Sequence, residues 1–124
     1  MTEELVTLET AKQLRKKGFN EYCKDIIRED NGRMMQSVFR TNKDLPKGAY
    51  SRPTQSIAKK WLREIKGMHV EISYMYGDYW TYDILTIPEH DLVGLSDRPI
   101  IHYKSYEEAL EAGIFEALNL YNHE

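Results

Sequence analysis

The sequence predicts a single α+β domain over residues 1–124: an antiparallel sheet with helices packed on one of its faces. Three observations lead there. Residues 70–76 and 79–87 alternate apolar and polar side chains around Gly77-Asp78, the period-two signature of a half-buried β-hairpin. Residues 53–66 and 106–121 instead repeat apolar residues at helical spacing behind helix-start signals. Finally, 124 residues with 41% hydrophobic and 30% charged content suffice for one core and not for two.

The first helix is expected over residues 8–17, where Leu8, Ala11 and Leu14 share a face. Thr7 is its N-cap, Glu9 suits the positive end of the helix dipole, and Arg15, Lys16 and Lys17 suit the negative end. Gly18 stands where a left-handed residue ends a helix, and Phe19 can fold back onto it. Apolar positions in 22–28 and 34–40 flank Asp30-Asn31-Gly32, whose tolerance of positive φ predicts a hairpin. Asn42, Asp44, Pro46, Gly48 and Pro53 mark 41–52 as a loop.

Pro53 opens the second helix, since its missing N–H would be unpaired in a first turn anyway, with Ser51 or Arg52 at the cap. Ile57, Ala58, Trp61, Leu62 and Ile65 form one apolar stripe, Lys59, Lys60, Arg63 and Lys66 fall outside it, and Gly67 ends the helix. In the hairpin, residues 70, 72, 74 and 76 point one way, and Trp80, Tyr82 and Ile84 alternate on the second strand until Pro88 stops it. Residues 89–97 read as loop, and 99–103 as a short third strand. Ser105 with Glu108 is a capping box for the last helix. Tyr106, Ala109, Leu110, Gly113, Ile114, Ala117, Leu118 and Tyr121 form its buried stripe, and Glu107, Glu108, Glu111 and Glu116 its solvent side. Gly113 weakens a helix interior, which predicts a close approach by another element.

Composition narrows the function classes. One cysteine, Cys23, excludes an internal disulfide framework and a cysteine-only zinc site. No apolar run approaches the ~20 residues of a membrane span, and the acidic start Met1-Thr2-Glu3-Glu4 is unlike a signal peptide, so a cytoplasmic location is expected. The formal charge of −3 conceals a division. Residues 1–66 carry 15 Lys+Arg against 9 Asp+Glu, a formal +6, and residues 67–124 carry 2 against 11, a formal −9. A basic patch for a phosphate-bearing or acidic partner is one reading; two solvated helix faces of opposite sign is the simpler one.

Candidate sites are few. His69, His90, His102 and His123 are too scattered for a metal motif, no phosphate-cradling glycine loop is present, and no cofactor is implied. Glu89-His90-Asp91 is the densest polar cluster, a carboxylate beside a histidine that could orient a general base, yet adjacent loop residues seldom converge on one ligand. Cys23 lies beside Lys24, which could lower its pKa, but between apolar neighbours it reads as a small core residue. No nucleophile comes with a base, so no enzyme is expected. Tyr74, Tyr76, Tyr79, Trp80 and Tyr82 crowd the hairpin, either as a stacking surface for nucleic acid or sugar or, more simply, as cover for the helices.

From Pro53 onward the order resembles the topology of double-stranded-RNA-binding domains, but those start their last helix with basic residues and here it reads Tyr106-Glu107-Glu108, which repels a backbone. Three stretches resemble a family of short uncharacterised proteins from Bacteroides-group gut bacteria and their phages. They are Leu8-Glu9-Thr10-Ala11-Lys12 running to Gly18-Phe19-Asn20-Glu21-Tyr22-Cys23, Pro53-Thr54-Gln55-Ser56 running through Lys60-Trp61-Leu62-Arg63-Glu64 to His69-Val70-Glu71-Ile72, and Ser105-Tyr106-Glu107-Glu108-Ala109-Leu110-Glu111-Ala112. The resemblance spans nearly the whole chain except the middle, residues 24–52, and its second stretch is the most specific. It implies a small cytosolic or phage-borne protein and assigns no catalytic residue. The expected function is therefore a non-catalytic accessory or interaction protein of phage or mobile-element origin, bound to a protein partner. The alternative is a nucleic-acid-binding module using Lys12, Arg15, Lys16, Lys59, Lys60, Arg63 and Lys66.

Overall fold

The computed structural model describes residues 4–36, 41–93 and 101–120. Within them lie three helices, α1 (Leu8–Lys16), α2 (Gln55–Ile65) and α3 (Tyr106–Leu120), and two three-stranded antiparallel sheets. The first sheet holds β1 (Asp25–Arg28), β2 (Met34–Gln36) and β3 (Ala49–Ser51) in the order β2-β1-β3. The second holds β4 (Met68–Met75), β5 (Tyr79–Thr86) and β6 (Leu92–Val93) in sequence order. The α+β class is as expected, with two small sheets where the sequence suggested one.

α1 forms as its end signals predict. Thr10 N–H donates to the Thr7 hydroxyl, Gly18 takes φ 98°, and the Phe19 N–H returns to the Leu14 carbonyl at 2.9 Å. That last bond turns Phe19 into the core, where its ring meets Trp61 edge-on at 5.4 Å. The β1–β2 hairpin forms through Asp30-Asn31-Gly32, with Gly32 at φ 64°; residues 37–40 of its expected second arm lie outside the described residues. The stretch 41–52 is not only loop. Three residues of it pair with β1 as β3, too short a run to show alternation among prolines and glycines. Buried Asn42 ties it down, donating to the Phe19 carbonyl (2.7 Å) and accepting from the Ser51 N–H (2.9 Å).

α2 starts two residues later than its proline suggests: Thr54, not Ser51 or Arg52, is the N-cap, accepting from the Ile57 N–H, and the Pro53 carbonyl instead receives the Val6 N–H. Its stripe is also narrower than expected. Ala58, Trp61 and Leu62 are buried, but Ile57 is 44% and Ile65 62% exposed. Ile57 lies about 100° round the helix from Ala58, and Ile65 lies in the last turn.

β4 and β5 pair without interruption from Met68↔Thr86 to Met75↔Tyr79. Val70, Ile72 and Tyr74 thus share a face with Ile84, Tyr82 and Trp80, and α3 packs against that face through Ala109, Leu110, Gly113, Ile114, Ala117 and Leu118. Gly113 makes the expected close approach: a Cβ there would stand 2.5 Å from Val70 Cγ1 and 3.1 Å from Tyr82 Cγ. The box at Ser105 forms with one displacement, since Glu108 receives the N–H of Lys104 while its own N–H donates to Ser105. Residues 89–97 include β6, and of 99–103 Tyr103 bridges Trp80, with residues 94–100 outside the described set. Tyr121 lies outside it too. Among the described residues, no helix is long and apolar enough to cross a membrane.

Candidate functional site at the distal end of the β4–β5 hairpin

Aromatic residues run outward along the helix-facing side of the hairpin. Tyr82 is buried beneath Gly113, as core. Trp80 is half-buried, its ring edge-on to Tyr106 at 5.7 Å. Tyr106 is the first residue of α3, so helical cover ends there. Beyond it Tyr74 leans on Trp80 at 4.8 Å and is 56% exposed, Met75 is 39% exposed, and Tyr76 in the turn is fully exposed. The simple reading of the rings as cover therefore holds for Tyr82 and fails at the tip.

The tip is ordered by its own polar contacts. Gly77 and Asp78 both take positive φ, 105° and 62°, closing the turn. That conformation brings the Asp78 carboxylate to the Tyr74 hydroxyl at 2.5 Å, and the bond holds the phenol proton, raising the Tyr74 pKa above its ordinary value. On the opposite face Tyr79 stacks on His102 at 3.6 Å. From Met68 to Val93 the chain contains Glu71, Asp78, Asp83, Glu89 and Asp91 and no lysine or arginine, while exposed Lys104 follows Tyr103, which bridges Trp80. Glu71 and Asp83 stand directly opposite each other in the ladder, and Glu71 also meets His69 Nε2 at 2.7 Å.

The seven basic residues singled out in the sequence do not form one free face. Lys12 pairs with Glu29 at 2.7 Å, a contact that raises the lysine pKa and lowers that of the carboxylate. Arg15 donates to the carbonyls of Leu45, Pro46 and Ala49 and lies over the Tyr50 ring, fastening α1 to the first sheet. Lys16, Lys60 and Arg63 are exposed, Lys59 is half-buried, and the Lys66 ammonium sits over Trp61 at 5.4 Å. The residue the sequence reading missed is Lys17, buried with no partner for its ammonium among the described residues. Burial first, then the charges of Lys16 and Lys66, lower its pKa. Its position after the α1 stripe gave no sign of this, because a helix C-cap lysine normally points to water.

Glu89, His90 and Asp91 are exposed in the turn after β5, which is shaped by backbone bonds of His90 and Asp91 with Thr86. Among the described residues no three His, Cys, Asp or Glu side chains come together as a metal-ligand group. The Cys23 thiol is buried and pushed up to about 11, by burial first and then by Asp25 and Glu21. Glu111 is no solvent-side residue. It accepts from the N–H and hydroxyl of Thr7 and from Gln55 Nε2, each at 3.0 Å, linking all three helices beside a cleft of about 800 Å³. No family model, curated protein or solved structure matches this chain.

Proposed function

We propose that this chain is a non-catalytic interaction protein that holds a protein partner through the distal end of its β4–β5 hairpin. One observation carries the reading: Tyr74 and Tyr76 on one face and Met75 on the other are all exposed past the end of the helix layer, at an ordered hairpin tip. Tyrosine and methionine are enriched where interfaces concentrate binding energy, because they bring large contact area at low entropic cost. The protonated, buried thiol of Cys23 and the exposed Glu89-His90-Asp91 turn support a role without catalysis. The resemblance of residues 53–72 supports an accessory protein of phage or mobile-element origin acting in the cytoplasm.

A photo-crosslinking residue at position 76 tests this, with the same residue at exposed Lys47 as control. The expected result is one discrete adduct from position 76, lost in Tyr74→Ala. Equal adducts from both positions, or an adduct indifferent to Tyr74→Ala, refute the reading.

A second reading, nucleic-acid binding through Lys16, Lys59, Lys60, Arg63 and Lys66, is favoured by the crowding of Lys16 and Lys66 about Lys17. Under it, Lys60→Glu with Arg63→Glu abolishes a low-salt gel shift, and retention by the double variant removes it.

A further inference from the structure

Resting on the interaction reading above, we infer that the hairpin tip receives an arginine side chain of the partner, held by the Tyr74 and Tyr76 rings and the Asp78 carboxylate. These three side chains line one shallow hollow of about 530 Å³, and Met75 and Gly77 complete its lining. Each of the three is open to a guest. Tyr74 rests on Trp80 at 4.8 Å yet remains 56% exposed, and Tyr76 is fully exposed. The Asp78 carboxylate accepts the Tyr74 hydroxyl through Oδ1. It takes part in none of the ion pairs among the described residues, which join Lys12 to Glu29, Arg28 to Asp30 and His69 to Glu71. Lys104, the basic residue that the Tyr103 bridge brings toward this end of the sheet, is in none of them either.

The turn by itself does not call for an aspartate. Gly77 and Asp78 take φ 105° and 62°, and asparagine fills such a second position as readily as aspartate does. An asparagine side-chain carbonyl would also accept the Tyr74 hydroxyl. What aspartate adds is a negative charge, placed beside two rings whose π faces carry partial negative charge themselves. A hollow with that potential and those flat walls selects a flat cation. A guanidinium meets all of it at once, stacking on a tyrosine while its forked N–H groups donate to the carboxylate. An ammonium brings the charge without the flat face and gives up its water less readily. A phosphate or carboxylate guest is repelled by Asp78, and an apolar one strips water from that charge without pairing it. A second copy of this chain meeting tip to tip would set Asp78 against Asp78.

The probe is N-acetyl-arginine methylamide, with N-acetyl-citrulline methylamide as its flat, neutral counterpart. Each is titrated into the full-length protein at constant ionic strength and followed by amide NMR shifts. At equal concentration the arginine compound is expected to move the Tyr76, Gly77 and Asp78 signals about threefold further than citrulline does, leaving Glu71 and Glu89 unmoved. Asp78→Asn keeps an acceptor for the Tyr74 hydroxyl, so it is expected to bring the arginine shifts down to the citrulline level at unchanged Tm. Tyr76→Ala is expected to weaken the arginine shifts about threefold. Equal shifts from the two compounds, no shift from either, or arginine shifts that survive Asp78→Asn overturn the proposal. So do shifts spread alike over Glu71 and Glu89, which mark a general attraction of cations. If the position-76 adduct forms and depends on Tyr74 but not on Asp78, and arginine moves nothing at the tip, the arginine site fails and the interaction reading stands. Local arginine shifts with no adduct keep the site and remove the protein partner.

Discussion

Gly113→Ala tests the packing that places the hairpin. In an ordinary helix interior this change stabilises by about 1 kcal/mol through backbone entropy. Here the new methyl arrives 2.5 Å from Val70 Cγ1 and 3.1 to 3.2 Å from Tyr82 Cγ and Cβ. Carbon atoms settle at roughly 3.5–4.0 Å, so Val70 must yield by about 1 Å. It cannot do so by turning. Val70 is 0% exposed and β-branched, and Tyr82 is 6% exposed, so α3 must lift from β4 and β5 along the contact. Overpacking of this kind costs about 1–3 kcal/mol, and it outweighs the propensity gain by up to about 2 kcal/mol. The assay is the urea midpoint at constant slope, with Tm expected to fall by up to roughly 10 °C. Val70→Ala removes the clashing methyl, so the double variant should be more stable than the two single effects predict, by about 1 kcal/mol or more. A stabilised Gly113→Ala, or strict additivity with Val70→Ala, refutes the close approach.

Trp61→Ala should cost about 3–5 kcal/mol, because the ring is 7% exposed and edge-on to Phe19; a denaturation midpoint near wild type would put the indole outside the core. Glu111→Ala should cost about 1–3 kcal/mol by stranding the Thr7 N–H, the Thr7 hydroxyl and Gln55 Nε2 together, whereas Glu116→Ala on the same helix should stay within about 0.5 kcal/mol. Lys17→Met should raise the midpoint at pH 7. The Lys17 pKa is lowered in the fold, so the unfolded chain holds the proton more firmly and stability climbs as pH rises through the window just below the ordinary value of 10.5. The advantage of the methionine should therefore shrink as pH approaches 10.5, and a constant difference would show that Lys17 is solvated.

What the sequence made legible was local. Thr7, Gly18, Gly32, Ser105 and Glu108 act within a few residues of themselves, so their end and turn signals translate directly into helices and a hairpin. Gly113 belongs with them, because a glycine inside an otherwise strong helix has few reasons to be there besides close contact. The misses are residues whose partners are remote. Glu111 bonds Thr7 across 104 positions and Asn42 bonds Phe19 across 23, and no period in the chain encodes either. β3 escaped because its three residues gain their partner only after β1 has formed. The tip was half legible: the rings were visible in the sequence, but which stay outside depends on where α3 begins relative to Trp80, a tertiary distance.

The charge division takes on a different meaning once partners are assigned. In the sequence the basic half looked like the functional lead. Folding spends much of it: Lys12 on Glu29, Arg15 on three carbonyls, Arg28 on Asp30, and Arg52 on the Val6 carbonyl and Met34 sulfur. The Lys12 and Arg15 contacts tie α1 to the first sheet, and the Arg28 and Arg52 contacts fasten that sheet within itself and to the segment before α1, work for which arginine's forked donors are suited. Acidic residues on α3 are similarly engaged, Glu108 at its cap and Glu111 at the helix junction. The acids of the second sheet differ. Glu71 and Asp83 face each other on one surface of the hairpin, and the 26 residues from Met68 to Val93 contain no lysine or arginine. Glu71 also meets His69 Nε2 at 2.7 Å on its own strand. What folding leaves uncovered on this sheet is the tip, where Tyr74, Met75 and Tyr76 stand exposed beyond the start of α3, and it is there, rather than in the largely engaged basic half, that the proposed partner contact is placed.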